Sequence, residues 1–142
     1  MLERPKSIPK TVLGFDYGTT KIGIAVGQSI TGTANPLVII KAKDGIPNWQ
    51  TIEQITKEWQ PDVFVVGWPI NMDGSESEMS VRARKFANRL NGRFHRPSFL
   101  MDERLSSFEA KQQLGPEASA KGPIDSLAAA LIVESWYAGF NA

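Results

Sequence analysis

The apolar positions of this chain change period several times, and each change marks an element. Val12-Leu13-Gly14-Phe15-Asp16-Tyr17-Gly18 and Lys21-Ile22-Gly23-Ile24-Ala25-Val26 are β-prone runs joined by Thr19-Thr20, which predicts an antiparallel hairpin. A third strand is expected over Leu37 to Ile40, after a loop that carries Asn35-Pro36. Between Pro47 and Pro61 the period lengthens, and Trp49, Ile52, Ile55 and Trp59 recur at helical spacing. The unbroken run Val63-Phe64-Val65-Val66 suits a strand covered on both faces, and its place after a helix suits parallel pairing. Gly67-Trp68-Pro69 ends it.

Ser75 and Glu78 have the spacing of a capping box, and Met79, Ala83, Phe86 and Leu90 form the apolar stripe of a helix that should close near Gly92. Pro97 to Met101 reads as a fifth strand. Ser106 with Glu109 predicts another capped helix, stopped by Gly115-Pro116, and a last helix starts near Pro123. Its buried stripe is expected to be Ile124, Leu127, Ala128, Leu131, Ile132 and Ser135. The order β-β-β-α-β-α-β-α-α defines an α/β protein, a mixed five-stranded sheet with helices packed on its faces. Residues 1–10, with two prolines and mixed charge, read as a loose arm, and residues 11–142 as one domain.

Composition narrows the class. Of 142 residues, 42% are hydrophobic and 22% charged, the balance of an ordinary globular protein. No apolar run approaches the roughly 20 residues that cross a bilayer, and residues 1–10 lack the apolar stretch of a signal peptide, so no membrane association is expected and a cytoplasmic location is. Cysteine is absent, which excludes disulfides, thiolate metal sites and thiol nucleophiles, and the one histidine, His95, has no ligand partner at helical spacing. The formal net charge of +1 does not announce a nucleic-acid binder, so local charge has to carry that information.

Three acidic positions stand out. Asp16 lies in an otherwise apolar strand, where an unpaired carboxylate is costly to desolvate, and alternation puts Val12, Gly14 and Gly18 on its face, where the small residues could leave room for hydrated metal and phosphate. A hydrogen-bonded strand-end aspartate is the simpler alternative. Asp102-Glu103-Arg104 follows the fifth strand, where α/β proteins place their chemistry, although a solvated loop with a local ion pair explains it as well. Asp125 lies in the first turn of the last helix, which the helix dipole alone would favour. Carboxylates gathered together suit hard ions such as Mg²⁺ or Mn²⁺, and a two-metal site hydrolyses phosphodiesters without a protein nucleophile.

Cations are concentrated elsewhere. Arg82, Lys85, Arg89 and Arg93 form a stripe along the helix after Ser75, Arg84 and Arg96 add to it, and Lys21, Lys41 and Lys43 could extend it. The stripe is either a solvated face or a surface that follows a phosphate backbone. Arg104 either orients the adjoining acids, contacts phosphate, or packs in its loop. Of the four tryptophans, Trp49, Trp59 and Trp136 fit core positions, which leaves Trp68 as the candidate for base stacking.

Phe15-Asp16-Tyr17-Gly18, Val66-Gly67-Trp68-Pro69, Asp102-Glu103-Arg104-Leu105-Ser106 and Lys121-Gly122-Pro123-Ile124-Asp125 occur in the order and spacing of motifs of the YqgF (RuvX-like) family. Asn71-Met72-Asp73-Gly74 and Arg82-Ala83-Arg84-Lys85-Phe86-Ala87 are also similar to that family, so the resemblance spans about Val12 to Tyr137. It implies a ribonuclease-H-like fold, divalent metal held by an acidic cluster, and a nuclease that matures the 5′ end of precursor 16S rRNA in ribosome biogenesis. The family is also linked to Holliday junction resolution in DNA recombination and repair. Carried over residue by residue, Asp16 is the first-strand ligand, Glu103 or Asp102 the second and Asp125 the third. The partner so implied is nucleic acid, precursor rRNA or branched DNA, handled by a monomer or a homodimer.

Two features depart from the pattern. The segment from Leu114 to Lys121 is shorter than in close relatives, and Gly67 stands where the related RuvC resolvases end their fourth strand with a glutamate, which places more weight on Asp102-Glu103. Two other function classes compete. Asp16-Tyr17-Gly18-Thr19-Thr20 also resembles the first phosphate loop of actin-like ATPases and sugar kinases, which need two such domains. A non-catalytic RNA-binding or transcription factor would keep the basic face and dispense with the acids.

Overall fold

The computed structural model describes residues 4–104 and 124–141. Its sheet has six strands rather than five: β1 (Thr11–Asp16), β2 (Lys21–Gln28), β3 (Thr33–Lys43), β4 (Ile46–Pro47), β5 (Val63–Trp68) and β6 (Ser98–Asp102), in the order β4-β3-β2-β1-β5-β6. The extra strand is a two-residue edge piece. Asp44 and Gly45 both have positive φ, which makes the tight turn that folds Ile46 back onto Lys43. Antiparallel pairing of β1 with β2 matches the predicted hairpin, and β5 lies parallel to both β1 and β6.

Strand β3 is longer than its apolar stretch suggested, because Asn35-Pro36 lies inside it and not in a loop. The ladder with β2 slips between Ile24 and Ala25, so that Ile24 faces Val38 and Ala25 faces Pro36. That bulge admits a residue with no backbone N–H to donate.

Three described helices cover the sheet: α1 (Trp49–Trp59), α2 (Glu78–Phe94) and α3 (Ile124–Ala138), followed by a 3-10 turn over Gly139–Asn141. Alternation along the strands sorts the core into two layers. Leu13, Phe15, Ile22, Ile24, Phe64 and Val66 face Ile52 and Ile55 of α1 and Ala83, Phe86, Ala87 and Leu90 of α2. Val12, Ala25, Val63 and Val65 face Ala129, Ile132, Val133 and Trp136 of α3.

Helix ends depart from the expected positions in an instructive way. Ser77, not Ser75, caps α2, and its hydroxyl accepts from the Ser80 N–H at 3.0 Å. Ser75 is instead drawn into a turn in which its N–H and Oγ both donate to Asp73 Oδ1, at 2.9 and 2.6 Å. The helix runs past Gly92 to Phe94, and His95 ends it in the left-handed region at φ 56°. The buried face of α3 is also rotated from expectation. Ala129, Ile132, Val133, Trp136 and Tyr137 are buried, whereas Leu127, Ala128, Leu131 and Ser135 are only half-buried. A helix apolar on nearly every side does not declare which stripe meets the sheet. The helix expected from Ser106 to Gly115 and the short Leu114–Lys121 segment lie outside the described residues.

Candidate active site

Asp16 is the last residue of β1, and alternation puts it on the face that α3 covers, in line with Val12 and Gly14. The space expected beside it at Gly14 is not open. A Cβ on Gly14 would collide with Val133 and lie 3.2 Å from the Ala129 carbonyl oxygen, so this glycine admits the helix and leaves no room for hydrated metal. At Gly18 a Cβ would lie 2.5 Å from the Lys21 carbonyl oxygen, so that position is not open either. Pairing of Phe15 with Val66 brings Asp16 alongside Gly67, one inter-strand spacing of about 4.8 Å away.

Glu103 follows β6 directly and turns back over that glycine. A Cβ at position 67 would lie 2.8 Å from Glu103 Cδ and 2.9 Å from its Oε1, so the Glu103 carboxylate fills the volume that a side chain at 67 would take. Burial pushes the Glu103 carboxyl up to about 8, and the negative charges of Asp16 and then Asp102 push in the same direction. Strands β1 and β6, on either side of β5, therefore bring two partly buried carboxyl groups toward the same end of the sheet.

Asp102 is engaged differently. The Arg104 guanidinium lies across both of its oxygens, with Nη2 to Oδ2 at 2.6 Å and Nε at 3.0 Å from each oxygen, and the Arg104 N–H donates to Oδ1 at 2.9 Å. The hydrogen bond from Arg104 lowers the Asp102 carboxyl below the usual carboxylate range. Arg104 Nη1 also donates to the Met72 carbonyl at 3.2 Å, which ties the loop after β5 to the end of β6. Arg104 thus both pairs with a neighbouring acid and packs against its loop.

Asp125 falls in the first turn of α3, and its side chain lies outside the described residues. The helix direction is clear. Ala129 and Val133 lie over Gly14, while Val133 and Tyr137 lie over Gly27, the partner of Val12, so α3 starts toward the Asp16 end of β1. From Ala129 back to Asp125 is about 6 Å of helix, and from Gly14 to Asp16 is about 7 Å of strand, so helix start and strand end keep pace. Among the described residues no three His, Cys, Asp or Glu side chains gather as metal ligands. The described pair, Asp16 and Glu103, fits a hard divalent cation in donor chemistry, since both supply oxygen and a cation would offset the burial and the Asp16 charge that raise the Glu103 carboxyl.

The predicted nucleic-acid contacts are spread widely. Lys21 begins β2 at the site end and faces Lys41 across the ladder. Arg82 pairs with Asp44 at 3.2 Å, Arg84 with Glu76 at 3.0 Å, Arg93 lies 4.3 Å above the Trp49 ring, and Arg96 donates to Gln60 Oε1 at 3.1 Å. Lys85 and Arg89 are exposed. The stripe belongs to α2, on the sheet face opposite the acids, and from Arg82 to Arg93 it recedes about 16 Å. Trp68 is partly buried against the core. The sequence named two participants without showing their contacts. Gly67 carries no chemistry of its own, and the Asn71–Ser75 turn is held by backbone bonds, Asn71 N–H to Ser75 O and Gly74 N–H to Asn71 O, that periodicity does not report.

A mixed sheet with carboxylates at the ends of two strands that flank a third, and helices on both faces, defines a ribonuclease-H-like fold. Solved structures with this fold include Thermus thermophilus RuvC in complex with a Holliday junction substrate (TM-score 0.54, 18% identity, 93% of this chain and 96% of that one). The fowlpox virus Holliday junction resolvase is similar to the same degree (TM-score 0.54, 14% identity, 93% and 99% covered). Residues 10–138 match the family model described as "RuvX: Holliday junction resolvase", and the chain belongs to that family. Among its relatives, a Haemophilus ducreyi protein is 60% identical over 131 residues (89% of this chain, 95% of that protein), and a Shewanella oneidensis protein is 57% identical over 132 (90% and 94%). Both carry the name "Putative pre-16S rRNA nuclease". The chain is thus a member of a nuclease family, and no described helix is long and apolar enough to cross a membrane.

Proposed function

We propose that this protein is a cytoplasmic, Mg²⁺- or Mn²⁺-dependent nuclease that trims precursor 16S rRNA at its 5′ end, with Asp16, Glu103 and Asp125 holding the metal. The observation that carries this reading is the Glu103 carboxylate folded over Gly67 toward Asp16, two partly buried acids whose mutual repulsion a shared cation would relieve. Between the two acids left open by the sequence it favours Glu103, because Asp102 is already neutralised by Arg104. Bound there, divalent metal supplies an activated water and stabilises the leaving oxygen of an in-line displacement.

The chain's own groups prepare the site. Glu103 gives up its carboxyl proton to become a ligand, and the order of the strand ends fixes its approach to Asp16. Arg104 holds Asp102 and the Met72 loop so that neither moves toward the acids. Lys21 at the site end and Lys85 and Arg89 on α2 supply separate points at which a phosphate backbone can be held.

A side-by-side digest tests the proposal, with precursor 16S rRNA, single-stranded RNA and a four-way DNA junction in Mg²⁺ or Mn²⁺, comparing wild type with Asp16→Asn. Cleavage of the precursor to a 5′-phosphate product, lost in Asp16→Asn, is expected. Preferential symmetric cutting of the junction would favour resolution of branched DNA by a homodimer instead. RNA binding without cleavage under any condition would favour a non-catalytic role.

A further inference from the structure

The sheet face beneath α3 carries glycines at 14, 27 and 67, and they differ in what they admit. At Gly14 and Gly27 an added Cβ would run into Val133, so these two let the helix settle onto the strands. At Gly67 it would meet Glu103 at 2.8 and 2.9 Å, and otherwise the Cδ1 tip of Ile132 at 2.6 Å. Gly67 is not among the positive-φ glycines, which are Gly32, Gly45 and Gly74. Its backbone is ordinary strand that any residue could adopt, so the requirement is for space.

We propose that Gly67 is a positioning residue: a gap in β5 that seats the Glu103 carboxylate against the sheet, where it can act jointly with Asp16. This rests on the reading of Asp16 and Glu103 as metal ligands and adds a residue that acts only through Glu103. A contact below 3.0 Å forces one partner to move. The backbone of β5 is fixed between β1 and β6, so the Glu103 side chain and the Ile132 tip are the groups that yield. Removing Glu103 from the gap takes an oxygen donor away from Asp16 while leaving the strands in place.

The geometry also implies that the carboxylate need not come from residue 103. An aspartate at 67 has its carboxyl carbon bonded to Cβ, about 1.5 Å away, which spans roughly half of the separation from that Cβ to the Glu103 Cδ position. With residue 103 shortened to alanine, a carboxylate rooted at 67 can occupy the emptied volume.

The test is Mn²⁺ titration of the full chain by calorimetry, with thermal unfolding of each metal-free variant recorded in parallel. Gly67→Ala should raise the Mn²⁺ Kd by about 10–100-fold, the range for loss of a ligand-orienting neighbour. The loss should persist in Gly67→Ala/Ile132→Val, which removes the Ile132 tip. Gly67→Asp/Glu103→Ala should bind at least about 10-fold more tightly than Glu103→Ala alone. Wild-type affinity in Gly67→Ala, its recovery on adding Ile132→Val, or no gain from the relocated aspartate would each overturn the proposal. Should Gly67→Ala fail to fold, the comparison of the relocated aspartate with Glu103→Ala decides alone. If wild type and Glu103→Ala bind Mn²⁺ equally, the ligand assignment itself is wrong, an outcome distinct from failure of Gly67 alone.

Discussion

Glu103 is the residue on which charge, burial and position converge. Its carboxyl is pushed up to about 8 in the folded chain from an ordinary 4.5, so the folded state holds a proton that the unfolded state releases. That contribution is complete below about pH 4.5 and is lost as pH rises through 8. The urea midpoint of the metal-free protein should therefore fall between pH 5 and 9, whereas Glu103→Gln, which cannot ionise, should show a flatter profile. Parallel profiles for the two proteins would show that Glu103 is not the titrating group. Arg104 acts one step removed. Replacing it with alanine leaves Asp102 uncompensated next to Glu103, so the pH at which Mn²⁺ binding is half-maximal should move upward. A midpoint that stays put in Arg104→Ala would mean that the Asp102 pair and Glu103 are electrically independent.

At the scale of elements, what was legible depended on whether a signal was local. The β1–β2 hairpin, the apolar β5 and the helical spacing of Trp49, Ile52, Ile55 and Trp59 all appear where the pattern put them, because each depends on period and punctuation within a few residues. The ends of α2 were less legible. Ser75 and Ser77 both precede the apolar stripe, and the choice went to Ser77 because Asp73 captures Ser75 in its own turn. Gly92 looked like the stop, yet His95 takes the left-handed position. Ser77→Ala should accordingly cost about 1 kcal/mol of stability, the usual worth of such a cap. His95→Gly should gain roughly 0.5–1 kcal/mol, since an L residue at positive φ carries a strain that glycine escapes. Both are read from urea midpoints at constant m-value, and stabilisation by Ser77→Ala would contradict the cap assignment. The candidate site shows the same limit. Asp16 and the Asp102-Glu103 pair were visible as acids at strand ends, but the seat of Glu103 over Gly67 exists only once β5 and β6 lie side by side, and the hold of Arg104 on Asp102 is a choice among local conformations that spacing does not decide.

For the whole molecule the question is how a chain of net charge +1 holds a polyanion. A field summed over the molecule supplies little attraction, so binding has to come from individual contacts, each accounting for about 0.7–0.9 of the slope of log K against log salt. A cation already paired within the protein contributes less, because its partner cancels part of its field. Arg82 lies against Asp44, whereas Lys85 and Arg89 are exposed on the same helix. Lys85→Gln/Arg89→Gln should therefore lower the salt slope of RNA binding by about 1.5, and Arg82→Gln by clearly less than one contact. Asp16→Asn separates affinity from chemistry. In chelator it removes a negative charge facing the phosphate, so RNA should bind more tightly with an unchanged slope, while cleavage in Mn²⁺ is lost. A nuclease in which Asp16→Asn weakened metal-free binding would be using that residue to grip its substrate rather than to hold a cation, and the division between a basic helix that binds and an acidic strand end that cuts would have to be abandoned.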